Sequence, residues 1–74
     1  MEPAVVVSGP AEHAQGAGVL IEAVGPDGNA VYRRLIPSEG RGATQREEAI
    51  EATIQEAWRR LVQHVGPTDQ EAGS

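Results

Sequence analysis

The sequence predicts an α+β domain: a three-stranded antiparallel sheet followed by one long amphipathic helix. Three observations lead there. The first half holds short aliphatic and β-branched runs punctuated by Gly and Pro. A Gly-Pro-Asp-Gly-Asn turn signal separates two of those runs. In the second half, apolar residues recur at helical period between a capping signal and a Gly-Pro stop.

Ala4 to Ser8 is a compact run of three valines closed by Gly9-Pro10, which reads as a short strand with an abrupt end. Its valines show no polar alternation, as expected of a strand whose two faces are both covered. After the small polar stretch Ala11–Gly16, residues 17–24 give a second strand with Glu22 as its one charge. Gly25-Pro26-Asp27-Gly28-Asn29 then presets a turn, because Pro fixes φ and Asp-Gly-Asn tolerate positive φ. The returning strand, residues 30–36, places Val31, Arg33 and Leu35 on one face and Tyr32, Arg34 and Ile36 on the other, and Pro37 stops it.

Ser38 to Gly42 connects to a helix over 45–65. Thr44 and Glu47 have the spacing of a capping box, and Glu47, Glu48 and Glu51 crowd the positive end of the dipole. Arg59, Arg60 and His64 sit near the other end, where cations are favoured. Ile50, Ile54, Ala57, Trp58, Leu61 and Val65 form one apolar stripe, with Trp58 expected in the core. Gly66-Pro67 ends the helix, leaving one domain over 1–66 and a polar tail, 67–74, expected to be disordered.

A chain of 74 residues makes one small domain, which buries only about 60% of the surface its unfolded form exposes and usually recruits a staple. Zero cysteines remove disulfides and thiolate zinc sites, and His13 and His64 stand far apart in sequence, so no metal or other cofactor is expected. A second subunit is the staple left. One helix can cover only one face of the sheet, while neighbouring positions of the first two strands are both aliphatic, so an apolar face and two edges need a partner. Val5, Val6 and Val7 are the candidate dimer-interface residues.

The net charge of −5 opposes general nucleic-acid binding, since phosphate affinity comes largely from Lys and Arg. All six cations are arginines, and Arg33, Arg34 and Arg41 are the candidates for a local partner or nucleic-acid contact. No apolar run is long enough to span a membrane, and the Met-Glu-Pro start lacks the features of a signal peptide, so a cytoplasmic protein is expected.

Three stretches carry a family resemblance: Val5-Val6-Val7-Ser8-Gly9-Pro10, then Gly16-Ala17-Gly18-Val19-Leu20-Ile21, then Gly42-Ala43-Thr44-Gln45-Arg46-Glu47-Glu48-Ala49-Ile50. In order and spacing, over roughly residues 4 to 62, they resemble the first half of the ribonuclease H-like fold (βββα). In that family the first strand ends in an Asp-Gly-Ser type sequence, a Gly-x-Gly step leads into the second strand, and the helix begins near a Thr-Asn-Asn-x-Ala-Glu pattern. Its enzymes hold two divalent metals between clustered carboxylates, which activate water for phosphodiester cleavage. Here the first-strand Asp falls on Ser8, whose hydroxyl cannot replace an anionic ligand. The helix Glu falls on Glu48 or on Ala49, and the onset of the apolar stripe at Ile50 favours Ala49. The later acidic residues belong to a fourth strand and a final helix that are not seen here. The resemblance therefore implies a ribonuclease H-related protein without ribonuclease activity. Its first strand becomes an edge at which two copies pair, unless they pack their open faces.

Other chemistry is weaker. Ser8 and His13 lack a nucleophile elbow or an orienting acid. Gly16-Ala17-Gly18 precedes a strand and so is no dinucleotide loop, and Asp27-Gly28 lacks the acidic ligands of a calcium loop. Three function classes remain: a non-catalytic homodimeric interaction or structural module; an antitoxin resembling the HicB type that binds a basic toxin; and a nucleic-acid-binding remnant of a ribonuclease H. The first is the expected one.

Overall fold

The computed structural model describes residues 2–40 and 42–73, with side chains as far as His64. The elements are β1 (Ala4–His13), β2 (Gly16–Val24), β3 (Ala30–Pro37) and α1 (Ala43–Gly73), and the antiparallel sheet has the order β1-β2-β3. The expected α+β class, three antiparallel strands and then a helix, is therefore the architecture observed.

β2 lies at the centre, flanked by β1 and β3, and carries the most aliphatic run of the three strands. Val19, Ile21 and Ala23 face the helix and join Ile36, Ala57 and Leu61 in the buried core. Each large aliphatic side chain buried there contributes about 1.5–3 kcal/mol. The alternate row, Leu20, Glu22 and Val24, belongs to the other face, where Leu35 and Arg33 lie opposite Leu20 and Glu22.

Gly9-Pro10 does not end β1, contrary to the sequence expectation. The strand continues to His13 through a shift in which Ser8 faces Leu20 and Ala11 faces Gly18, so one extra residue sits on β1. Gly9 takes φ 109°, and a Cβ there would collide with the Gly18 carbonyl and the Ala11 amide. A bulge accommodates the proline because Pro10 has no N–H to offer the ladder. His13 spans the same irregularity: with Nε2 protonated, it donates to the Gly18 carbonyl at 3.2 Å. The segment expected as a polar loop is thus the second part of a hairpin turning at Ala14-Gln15.

The Gly25–Asn29 turn forms as expected. The Gly28 amide donates to the Gly25 carbonyl at 2.9 Å, the Gly25 amide to the Asn29 carbonyl at 2.9 Å, and the Asn29 amide to Asp27 Oδ1 at 3.1 Å. These bonds from Asn29, first through its backbone and then through its side chain, hold the Asp27 carboxyl below its usual range. A register shift between Ala23 and Val24 inserts an extra residue into β3. Val31 consequently packs against the core along with Tyr32, although plain alternation puts them on opposite faces.

α1 begins at Ala43, ahead of the expected Thr44 cap. Gly42 is the N-cap: its carbonyl accepts from the Arg46 amide at 3.0 Å, and its amide donates to Gln45 Oε1 at 3.3 Å. Gln45, three residues after the cap, thus plays the returning part expected of Glu47. The helix runs through Gly66-Pro67 to Gly73, beyond the stop expected at Val65. Proline in a helix interior removes one ladder hydrogen bond and is costly, so local preference does not explain this continuation. The side chains of Val65 and of the tail, and Ser74 altogether, lie outside the described residues.

The buried face of α1 is centred on Thr53, Ala57 and Leu61, with Ala49, Ile50 and Ile54 packed beside them. Thr53 is tolerated there because its hydroxyl donates to the Ala49 carbonyl at 2.7 Å. Trp58, one position on from Ala57 and so about 100° round the helix, is 47% exposed instead of forming part of the core.

Gly18 gives a direct test of the packing. It sits at φ 151°, and a Cβ would run into the Ile36 backbone of β3. Gly18→Ala is expected to destabilise the fold by about 2–4 kcal/mol, read from the denaturant midpoint. A loss under about 0.5 kcal/mol would contradict this close β2–β3 approach.

Candidate interaction surface

Two strands have a free edge, and they differ in kind. β3 carries Arg33, Arg34 and Pro37, and charge and proline of this sort blunt an edge against pairing. The first part of β1, Ala4 to Ser8, has neither. α1 packs chiefly on β2 and β3 and touches β1 only marginally.

The large apolar side chains left most exposed are Val6 at 41%, Val7 at 47%, Trp58 at 47% and Val62 at 55%. Val7 lies opposite Ile21 and so on the helix side of β1, while Val6 lies opposite Glu22 on the other side. On α1, the flank towards β3 is marked by Arg60, whose guanidinium carbon sits 5.2 Å from the centre of the Tyr32 ring. Trp58 lies about 100° round the helix from the buried Ala57, on the side away from Arg60 and β3, whereas Val62 lies about 140° from Ala57 and faces mostly outward. Val6 and Val7 are thus on the open-edged strand and Trp58 is on the helix side away from β3. At the N-terminal end of that side, Glu47, Ile50, Glu51 and Ile54 line a shallow depression of about 390 Å³.

The opposite side of the helix is polar. A cleft of about 430 Å³ lies between β3 and α1, lined by Tyr32, Arg34, Ala52, Thr53, Glu56 and Arg60 among others. Its charges are largely engaged with each other: Arg60 Nε donates to Glu56 Oε2 at 2.6 Å while stacking on Tyr32, and Arg59 donates to Glu56 Oε1. The hydrogen bond from Arg60, reinforced by the charges of Arg59 and Arg60, holds the Glu56 carboxyl below its usual range. Arg34 adds one further cation, and the Thr53 hydroxyl is occupied by Ala49.

The sequence-derived candidates do not converge on one patch. Arg33 lies on the face away from the helix and donates to Glu22 Oε2 at 2.8 Å, while Arg34 lines the cleft on the helix side. Arg41 lies outside the described residues. Val5 is half-buried against the core, whereas Val6 and Val7 are free surface. Ser8 is half-buried on β1, Glu48 is exposed, and Ala49 packs against the core. Sequence reasoning missed Trp58 and Val62 as surface. The signal was the second row Ile54, Trp58, Val62, spaced by four, one flank away from the buried stripe.

Among the described residues no three His, Asp or Glu side chains are grouped to hold a metal ion, and no helix is long and apolar enough to cross a membrane. Comparison with protein-family models, curated proteins and solved structures finds no match.

The Glu56 pair gives a pH-dependent readout. A carboxyl with lowered pKa contributes its interaction above the ordinary Glu range and loses it as pH falls through the lowered value. In an NMR titration of side-chain carboxyls, Glu56 is expected to titrate below ordinary glutamates, and Arg60→Ala to move its midpoint up towards them. An unmoved midpoint would contradict the role given to Arg60.

Proposed function

We propose that this chain is a non-catalytic, ribonuclease H-related domain that works in the cytoplasm as a homodimeric interaction or structural module. The observation that supports homodimerisation best is the distribution of exposed apolar surface. Val6 and Val7 lie on β1, at a sheet edge without charge or proline over Ala4–Ser8, and Trp58 is exposed on the helix side away from β3. Such an edge invites strand addition, and a small domain gains most from sharing its core with a second subunit.

The non-catalytic part rests on the positions that the family resemblance assigns to metal-binding carboxylates. Ser8 occupies the first-strand position. Of the two residues that can match the helix Glu, Ala49 is turned to the core and has no ligand to offer, while the Glu48 side chain is exposed on the helix. The acidic net charge and the separation of Arg33 from Arg34 on opposite faces favour a protein partner over a nucleic-acid one.

Light scattering coupled to size exclusion is expected to give about 15.6 kDa, twice the chain mass of 7.8 kDa, at micromolar concentration. A species at the chain mass throughout would contradict the homodimer. An RNA–DNA hybrid incubated with the protein and Mg²⁺ or Mn²⁺ is expected to remain intact, and metal-dependent cleavage would contradict the non-catalytic reading.

A further inference from the structure

We infer that two copies join edge to edge through β1, antiparallel about a twofold axis near Val6 and Val7. The two sheets become one of six strands, and the Trp58 side chains of the two helices reach over the seam. This inference rests on the homodimer reading and specifies its joint.

The backbone supplies the first reason. β1 is an outer strand of the sheet, so half of its N–H and C=O groups point away from β2. Antiparallel pairing of a strand with its own copy is twofold symmetric and closed, so it satisfies both edges without propagating into a fibre. The bulge between Ser8 and Ala11 limits the regular part of this edge to Ala4–Ser8. β3 offers no equivalent, because its edge carries Arg33, Arg34 and Pro37.

Charge supplies the second. Each copy has a formal charge of −5, so association is opposed except where the meeting surfaces are neutral. Ala4–Ser8 is neutral, and the carboxylate across from Val6, Glu22, is neutralised by its ion pair with Arg33 at 2.8 Å. On the helix, Glu51 lies seven residues from Trp58, about 10 Å along the axis, so a twofold near Trp58 keeps the two Glu51 roughly 20 Å apart. That exceeds the Debye length of about 8 Å at physiological salt.

The third reason separates this joint from stacking of the two open faces. The open face holds the Glu22–Arg33 ion pair at 2.8 Å, with the Arg33 side chain half exposed. Stacking two such faces would strip water from both pairs, a desolvation that the mutual attraction of the charges repays poorly. The edge joint leaves the pairs in water and covers instead Val7 and Trp58, whose exposure is otherwise unexplained.

Trp58 is the only tryptophan, so the unmodified protein reports on its own seam. In a dilution series followed by light scattering and fluorescence together, dissociation is expected to coincide with a red shift of Trp58 emission. The dimer is expected to tighten as salt rises, because screening relieves repulsion between like-charged copies. Trp58→Ala is expected to weaken the dimer on the order of 10- to 100-fold, with the far-UV spectrum retained, while Leu35→Ala on the open face leaves affinity within about twofold. Since the chain has no cysteine, Val6→Cys or Val7→Cys is expected to trap a covalent dimer on oxidation, and Leu35→Cys on the open face is not. A dimer whose dilution leaves the Trp58 emission unmoved, or one trapped by Leu35→Cys and weakened by Leu35→Ala but not by Trp58→Ala, would overturn the edge joint in favour of stacked faces. A monomer at every concentration would overturn the homodimer reading itself.

Discussion

The structure depends on the burial of β2. Its helix-side row, Val19, Ile21 and Ala23, is the surface against which α1 lays Ala57 and Leu61 and β3 lays Ile36. Every other element is positioned by reference to that contact. β1 and β3 are outer strands because each pairs only with β2. The bulges on both outer strands adjust them to the register that β2 sets, through Gly9-Pro10 on β1 and Val31 on β3. Small residues allow the close approach: Gly18 brings β2 against the Ile36 backbone, and Ala57 brings the helix against the sheet.

That arrangement gives the molecule two unlike sides. Where α1 meets β3, polar and charged groups are matched internally, with Arg60 between Tyr32 and Glu56. Where α1 stops short of β1, a neutral strand edge and an apolar helix flank remain. A helix centred on β1 would have buried Val7 and Trp58 at the expense of Tyr32 and Ile36. The observed offset leaves the apolar surplus on one side, which is the condition for symmetric association.

Local chemistry was legible in the sequence. The Gly25–Asn29 turn and the second and third strands were readable because Pro, Gly and Asn fix their own dihedrals and short aliphatic runs mark strands. Elements set by distant partners were not. Gly9-Pro10 looks like a stop, and only its pairing across to Gly18 turns it into a bulge. Trp58 falls within a plausible apolar stripe, but the phase of the helix is set by the small residues Ala49, Thr53 and Ala57, which pattern counting underweights. The cap is an intermediate case, since Gly42 with Gln45 competes with Thr44 and Glu47 for one role. At the candidate surface, Val6 and Val7 were readable from the uncharged edge, while their neighbours on the helix depended on the offset of α1.

On the proposed joint, the outward backbone groups of β1 hold the two copies together. Amide hydrogen exchange residue by residue over Val5–Ser8, at a concentration where the dimer is formed, tests it most directly. In a free edge strand, amides pointing to β2 are protected and the alternate ones exchange at nearly unstructured rates. In the dimer both sets are expected to be protected, with the outward set losing protection on dilution. Rapid exchange of the outward amides while the protein is dimeric would contradict it.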